Sequence, residues 1–179
     1  VLDGCPFVTA DTLWFCTVRE GLTGIHWFAA QFNDGKWTNW EPADFDPAFD
    51  VGEFHIHGQQ LYYHSSRDGG RGGLDIWMLT KDKNGMWSDP VNVAAVNSSR
   101  GEGWPAISPN GTELWFSRDY GVWRSVWGND GWMQPVLMFS PLAGEAAIDS
   151  NGNVFFTHHF YDETGETMLD ADIYVAYRK

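Results

Sequence analysis

A chain of 179 residues is long enough for one domain with a sizeable core and too short for two comfortable ones. Its 24 acidic against 11 basic residues give a formal charge of −13, which repels a nucleic-acid backbone or an anionic membrane surface and favours cationic partners or bound cations. Aromatics at 16%, 20 glycines and the lack of long Ala, Leu, Glu and Lys runs point to strands and turns, and no apolar run approaches the roughly 20 residues that insert in a bilayer.

The first unit, residues 3–48, starts at Gly4 with CPFVTADT and LWFC, continues through GIHWFAAQF, turns at Asn33-Asp34-Gly35 and ends on KWTNWEPA. The second, 49–99, repeats that order from Gly52 as EFHIHGQQ, LYYH, LDIWMLTKD, a turn at Asn84-Gly85 and MWSDPVNVA. The third, 100–141, runs from Gly103 through WPAISPNGTE, LWFS, GVWRSVW, a turn at Asn129-Asp130-Gly131 and GWMQPVLMF. The fourth, 142–179, has Gly144, EAAIDSNGN, VFFT and ADIYVAYRK, and lacks the outer strand. A period of about 40 to 50 residues, with turn residues that tolerate positive φ between short apolar runs, predicts four-stranded antiparallel sheets. The fold class is therefore all-β, a propeller whose twisted sheets bury both faces against their neighbours in one domain spanning 1–179. With the outer strand missing, either the four units close imperfectly into a ring, or this chain is part of a longer propeller, or another chain supplies the strand at an open sheet edge through which copies could associate.

Ser65-Ser66-Arg67-Asp68-Gly69-Gly70-Arg71-Gly72-Gly73-Leu74-Asp75-Ile76-Trp77, with LYYH before it and NGMWSDPVNV after it, resembles the WD40-like PD40 repeat of TolB-type propellers. Ile107-Ser108-Pro109-Asn110-Gly111-Thr112-Glu113-Leu114-Trp115-Phe116-Ser117 is similar to the same repeat's S-P-D-G-x-x-L-x-F-S hairpin, with Asn110 where Asp is usual. The resemblance implies a propeller acting as an interaction platform. It also implies that Asp75, at the head of a third strand, holds a turn or neighbouring strand.

Antiparallel register sets Cys5 against Cys16, Glu53 against His64, Trp104 against Ser117 and Glu145 against Thr157. Alternation then puts Glu53, His55 and His57 on one face with Gln60, Tyr62 and His64. Glu53, His55 and His64 are thus the candidate ligands of a divalent metal, against the simpler reading of histidines hydrogen-bonded in the packing between sheets. The two cysteines pair as a disulfide or lie as small buried thiols, and a disulfide would imply a periplasmic or secreted location.

Asp3, Glu53, Glu102 and Glu145 recur where first strands begin, so they would rim one mouth of the central channel. With Trp104, and with Arg67 at the end of a second strand, they form a candidate ligand-binding set. The sequence contains no serine-nucleophile elbow, phosphate loop or zinc-protease helix motif. The expected function is non-catalytic recognition of a protein, peptide or glycan at one face, with no cofactor. The alternative is a carbohydrate-active hydrolase or lyase that uses the channel-mouth carboxylates, with or without a metal.

Overall fold

The computed structural model describes residues 2–20, 24–43 and 51–179. The described residues form four antiparallel sheets, with strands and turns but no helix, arranged as a four-bladed β-propeller. Blade 1 is β1 (Leu2–Thr9), β2 (Thr12–Val18), β3 (His26–Asn33) and β4 (Lys36–Pro42); blade 2 is β5 (Phe54–His57), β6 (Gln60–Ser65), β7 (Asp75–Thr80) and β8 (Val91–Asn92). Blade 3 holds β9 (Glu102–Ile107), β10 (Glu113–Arg118) and β11 (Gly121–Gly128), with β12 (Gly131–Trp132) and β13 (Val136–Phe139) sharing the outer position. Blade 4 has three strands, β14 (Ala143–Ile148), β15 (Val154–Tyr161) and β16 (Met168–Ala176).

Strand alternation sends one set of side chains into the preceding blade and the other into the next. Phe54, Leu61, Tyr63, Trp77 and Leu79 of blade 2 close on Trp27, Trp14 and Phe7 of blade 1. Tyr62 and Ile76, on the opposite face, close on Ile107, Leu114 and Phe116 of blade 3. Ala106, Trp115 and Val122 of blade 3 then meet Ala143, Ala146 and Val154 of blade 4. The core is therefore three inter-blade layers, and each fully buried large side chain in them contributes about 1.5–3 kcal/mol.

Hairpin register matches the expectation near the turns, as in His55 against Tyr62, Phe7 against Trp14 and Ala106 against Trp115. It departs from it at the glycine end of the inner strand. Gly4 rather than Cys5 pairs with Cys16, Gly103 rather than Trp104 with Ser117, and Gly144 rather than Glu145 with Thr157, with a bulge following each glycine. The bulge residue takes a left-handed backbone, φ 52° at Cys5, 53° at Trp104 and 54° at Glu145. Non-glycine residues rarely adopt that conformation, so three repeats of it mark a position where a side chain is worth its strain.

The bulge turns a backbone N–H out of its own sheet, and the preceding blade accepts it. His64 Nδ1 accepts from Trp104 N at 3.0 Å, and Ser117 Oγ accepts from Glu145 N at 2.9 Å. The repeated glycine makes room for this staple: a β-carbon on Gly52 would overlap the His64 imidazole, and one on Gly144 would lie 3.2 Å from Ser117 Oγ. Ser117→Ala leaves the partly buried Glu145 amide without its acceptor and is expected to lower stability by about 1 kcal/mol, read as a shift in the urea midpoint. An unchanged midpoint would show that water replaces the hydroxyl there.

Asp75 is buried at the start of β7 and accepts from the Arg71 backbone N–H and from Asn92 Nδ2 at 3.4 Å, so it secures the turn. In the Gly69–Gly73 loop, a β-carbon on Gly72 would collide with the Arg100 carbonyl and one on Gly70 with the Asp75 carboxylate. Close approach of the Arg100 backbone at one position and of the Asp75 side chain at the other accounts for these two glycines.

Candidate functional site

The three histidines of β5 and β6 share one face, and blade 3 covers it. Besides His64 on Trp104, His55 Nδ1 accepts from Ile107 N at 3.2 Å, and the His57 imidazole lies against Gly111. The Nδ1 atoms of His55 and His64 are thus spent on the neighbouring inner strand. The expected Glu53, His55 and His64 metal triad is not assembled, and among the described residues no group of three His, Cys, Asp or Glu side chains is placed to hold a metal ion. The reason is geometric: the Glu53 carboxylate turns to Cys5 and the central cavity, while the His55 and His64 imidazoles turn to the backbone of blade 3.

Burial lowers the pKa of both His55 and His64 from 6.5 to about 4, with His57 adding to the effect at His55. Each is therefore neutral in the folded protein at pH values where an unfolded chain already binds a proton. Stability is expected to fall as pH drops from about 6.5 to about 4 and to level off below, by about 1–3 kcal/mol per histidine. His64→Gln keeps an acceptor that cannot be protonated and should remove about half of that loss. A urea midpoint that is flat between pH 7 and 4.5 would contradict this account of the imidazoles.

The inner strands of all four blades line one central cavity of about 290 Å³, with Cys5, Glu53, Trp104 and Glu145 around it. These are the residues that follow the repeated glycine in each blade. Burial holds the Glu53 carboxyl above the ordinary carboxylate range, the Glu145 charge pushes the same way, and hydrogen bonds from Cys5 and the Trp104 side chain pull against them. Cys5 Sγ donates to Glu53 Oε1 at 2.9 Å, while Thr157 Oγ1 donates to Glu145 Oε2 at 3.1 Å. Trp104 packs its ring 5.2 Å from the His64 ring, which fixes the indole at the cavity wall.

Trp104 and Glu145 also border a second cavity of about 400 Å³ at the channel mouth, where Arg118, Tyr120, His159 and Tyr161 complete the wall. Tyr120 and Tyr161 meet edge to face at 6.4 Å. Sequence comparison between repeats stops at Thr157 and so misses His159 and Tyr161. The available signal was the uninterrupted THHFY run, which extends β15 to eight residues where β6 and β10 have six.

Other expected site residues lie elsewhere. Glu102 is fully buried and is not a mouth residue: Arg118 Nε donates to it at 2.6 Å, Ser98 Oγ at 2.6 Å and Ser98 N at 3.0 Å. Arg67 donates to the Tyr63 hydroxyl at 3.2 Å and stacks 5.0 Å over Trp77, so it braces blade 2 instead of reaching the channel wall. The side chain of Asp3 lies outside the described residues. Cys5 and Cys16 are both free thiols, and the bulge sets Gly4 rather than Cys5 opposite Cys16. The hydrogen bond to Cys16, burial and the adjacent Glu53 all push the Cys5 thiol up, keeping it protonated as a donor.

No protein-family model and no curated protein matches the chain. Solved structures do. A thermostable family-43 glycoside hydrolase superposes with a TM-score of 0.61 at 14% identity, covering 96% of this chain and 69% of its own. An α-L-arabinofuranosidase from Clostridium thermocellum gives 0.54 at 14%, covering 97% and 68%. A Hadza microbial sialidase gives 0.54 at 13%, covering 97% of this chain and 44% of that one. At such identities the likeness establishes the propeller fold. The names of these similar structures, all glycosidases, count against the expected non-catalytic platform and favour the carbohydrate-active alternative.

Proposed function

We propose that the protein hydrolyses glycosidic bonds at the channel mouth, with Glu53 as general acid and Glu145 as the carboxylate that accepts a proton from the attacking water. The observation that carries this reading is a pair of carboxylates lining one cavity in unlike surroundings. Glu53 is partly buried with a raised pKa, while Glu145 is exposed to the cavity and held by Thr157. Such a difference is what glycoside cleavage needs, one group protonated to give and one ionised to take. Glu53 passes its proton to the glycosidic oxygen as the bond to the anomeric carbon breaks. Water adds to that carbon and gives its proton to Glu145.

Trp104 supplies an aromatic face for a sugar ring, and Tyr120 and Tyr161 extend an aromatic wall outward. Arg118 is the one arginine among the residues lining these two cavities, and it is committed to Glu102. An anionic sugar would meet Glu53 and Glu145 without an unspent arginine or lysine in the lining to match it, so the surroundings fit a neutral glycan. The fold shared with glycosidases supports the reaction class. The test is sugar release by the purified protein from a panel of neutral and uronic aryl glycosides and plant polysaccharides. Turnover of neutral members is expected, and a wholly inert panel would count against the reading.

A further inference from the structure

The chain has two cysteines, and the bulge of blade 1 brings their sulfurs together beside the central cavity. Gly4 pairs with Cys16, and Cys16 Sγ lies 3.8 Å from where a β-carbon on Gly4 would be. Cys5 follows at the bulge with φ 52°, and its thiol hydrogen-bonds to Cys16. Both side chains stay partly exposed, so these thiols are open to small reagents in a way that buried structural cysteines are not.

The place of Cys16 in the repeat sets it apart from a packing residue. It closes the second strand of its blade as His64 and Ser117 close theirs, and those two accept the bulge N–H of the following blade. A thiol accepts hydrogen bonds weakly, so blade 1 gives up strength at that position. Cys5 in turn lies between two acceptors, the Cys16 sulfur and Glu53 Oε1, the latter at 2.9 Å. The hydrogen bond from Cys5 lowers the pKa of the Cys16 thiol against the opposing pull of burial, while Cys5 itself is pushed up. One sulfur is thereby readied to ionise, and the other keeps its proton next to a carboxylate that can take it. An activated thiol, a second thiol within reach and a base are what disulfide exchange requires.

We propose that Cys16, Cys5 and Glu53 form a thiol–disulfide exchange site that takes a low-molecular-weight disulfide as its oxidant. Cys16 releases its proton to solvent, and its thiolate attacks one sulfur of that disulfide. The small disulfide's S–S bond breaks, one thiolate departs with the electron pair, and a mixed disulfide remains on Cys16. Cys5 then gives its proton to Glu53 as its sulfur attacks Cys16 Sγ, and the second thiolate leaves and recovers that proton. The products are a Cys5–Cys16 disulfide and two small thiols, the cysteines having lost the two electrons that the oxidant gained. Joining the sulfurs takes the hydrogen from Cys5, so Glu53 loses the bond from that thiol and the redox state of the pair sets the surroundings of the carboxylate. Exchange at this site does not depend on glycoside cleavage, so a silent thiol pair and an inert sugar panel are separate outcomes.

The test is incubation of the purified protein, without denaturant, with oxidised glutathione, followed over time by intact mass and by titration of free thiols. The parent is expected to lose both thiols as a monomer and to end with no attached glutathione. Cys5→Ser should stop at one glutathione on Cys16, located by peptide mapping, and Cys16→Ser should react about ten-fold more slowly or worse, because the activated sulfur is gone. Glu53→Gln should acquire glutathione at the parent rate or faster and shed it on the order of ten-fold more slowly, having no base for Cys5. The parent alone decides the main point. Thiols that persist without denaturant and react only in urea, a lasting glutathione on both cysteines, or a disulfide found only between two chains would each overturn the proposal. Shedding at the parent rate by folded Glu53→Gln would overturn the assignment of Glu53 to the site.

Discussion

Glu102→Ala is expected to cost on the order of 3–5 kcal/mol of stability, the largest loss from any single carboxylate substitution in this protein. Glu102 is buried beside Arg118, whose guanidinium also donates to the Val96 carbonyl and lies 4.6 Å over the Trp123 ring. Removing the carboxylate strands that cation and strips Ser98 of its acceptor. Total stabilities of single domains are about 5–15 kcal/mol, so the variant should be largely unfolded at temperatures the parent tolerates. Urea or thermal unfolding reads the effect directly. A loss below about 1 kcal/mol would mean that the pair is solvated and that Glu102 could serve the channel mouth after all.

The second large effect falls on Glu53. Glu53→Gln keeps the size and one hydrogen-bond acceptor for Cys5 but has no acidic proton to deliver, so kcat should fall by about 10²- to 10⁴-fold on substrates with poor leaving groups. Fold stability should change little, because the acid and the amide are alike in size and both accept the hydrogen bond from Cys5. Glu145→Gln should lower turnover with good and poor leaving groups alike, since the water still needs a base. Folded Glu53→Gln protein with parent-like rates would remove Glu53 from the chemistry.

The sheet architecture was legible in the sequence because its signals are local and repeated: a glycine, an aromatic triplet and a positive-φ turn recur in every unit. The Glu53, Trp104 and Glu145 set was legible for the same reason, since each follows that glycine. The bulge was not, because pairing sums from the hairpin turns continue smoothly through Cys5 and Glu145, and nothing in residue type announces an extra residue at the end of the strand. That one-residue break sets Gly4, not Cys5, opposite Cys16. The fate of the histidines was hidden for a different reason. Register within one hairpin shows which face they share, whereas the donors they satisfy, Trp104 N and Ile107 N, lie more than 35 residues away in another blade. Glu102 shows the same limit, as its partner Arg118 comes from the next strand and turns a rim acid into a buried one.

The central claim is that Glu53 donates the proton that releases a sugar's leaving group. It is tested most directly by kcat/KM of the parent and Glu53→Gln on paired glycosides of one neutral sugar, one with a dinitrophenyl and one with an alkyl leaving group. The account predicts a loss of about 10²-fold or more on the alkyl glycoside and a much smaller one on the dinitrophenyl glycoside, which departs without protonation. Equal losses on the two substrates, or no loss on either, would contradict it.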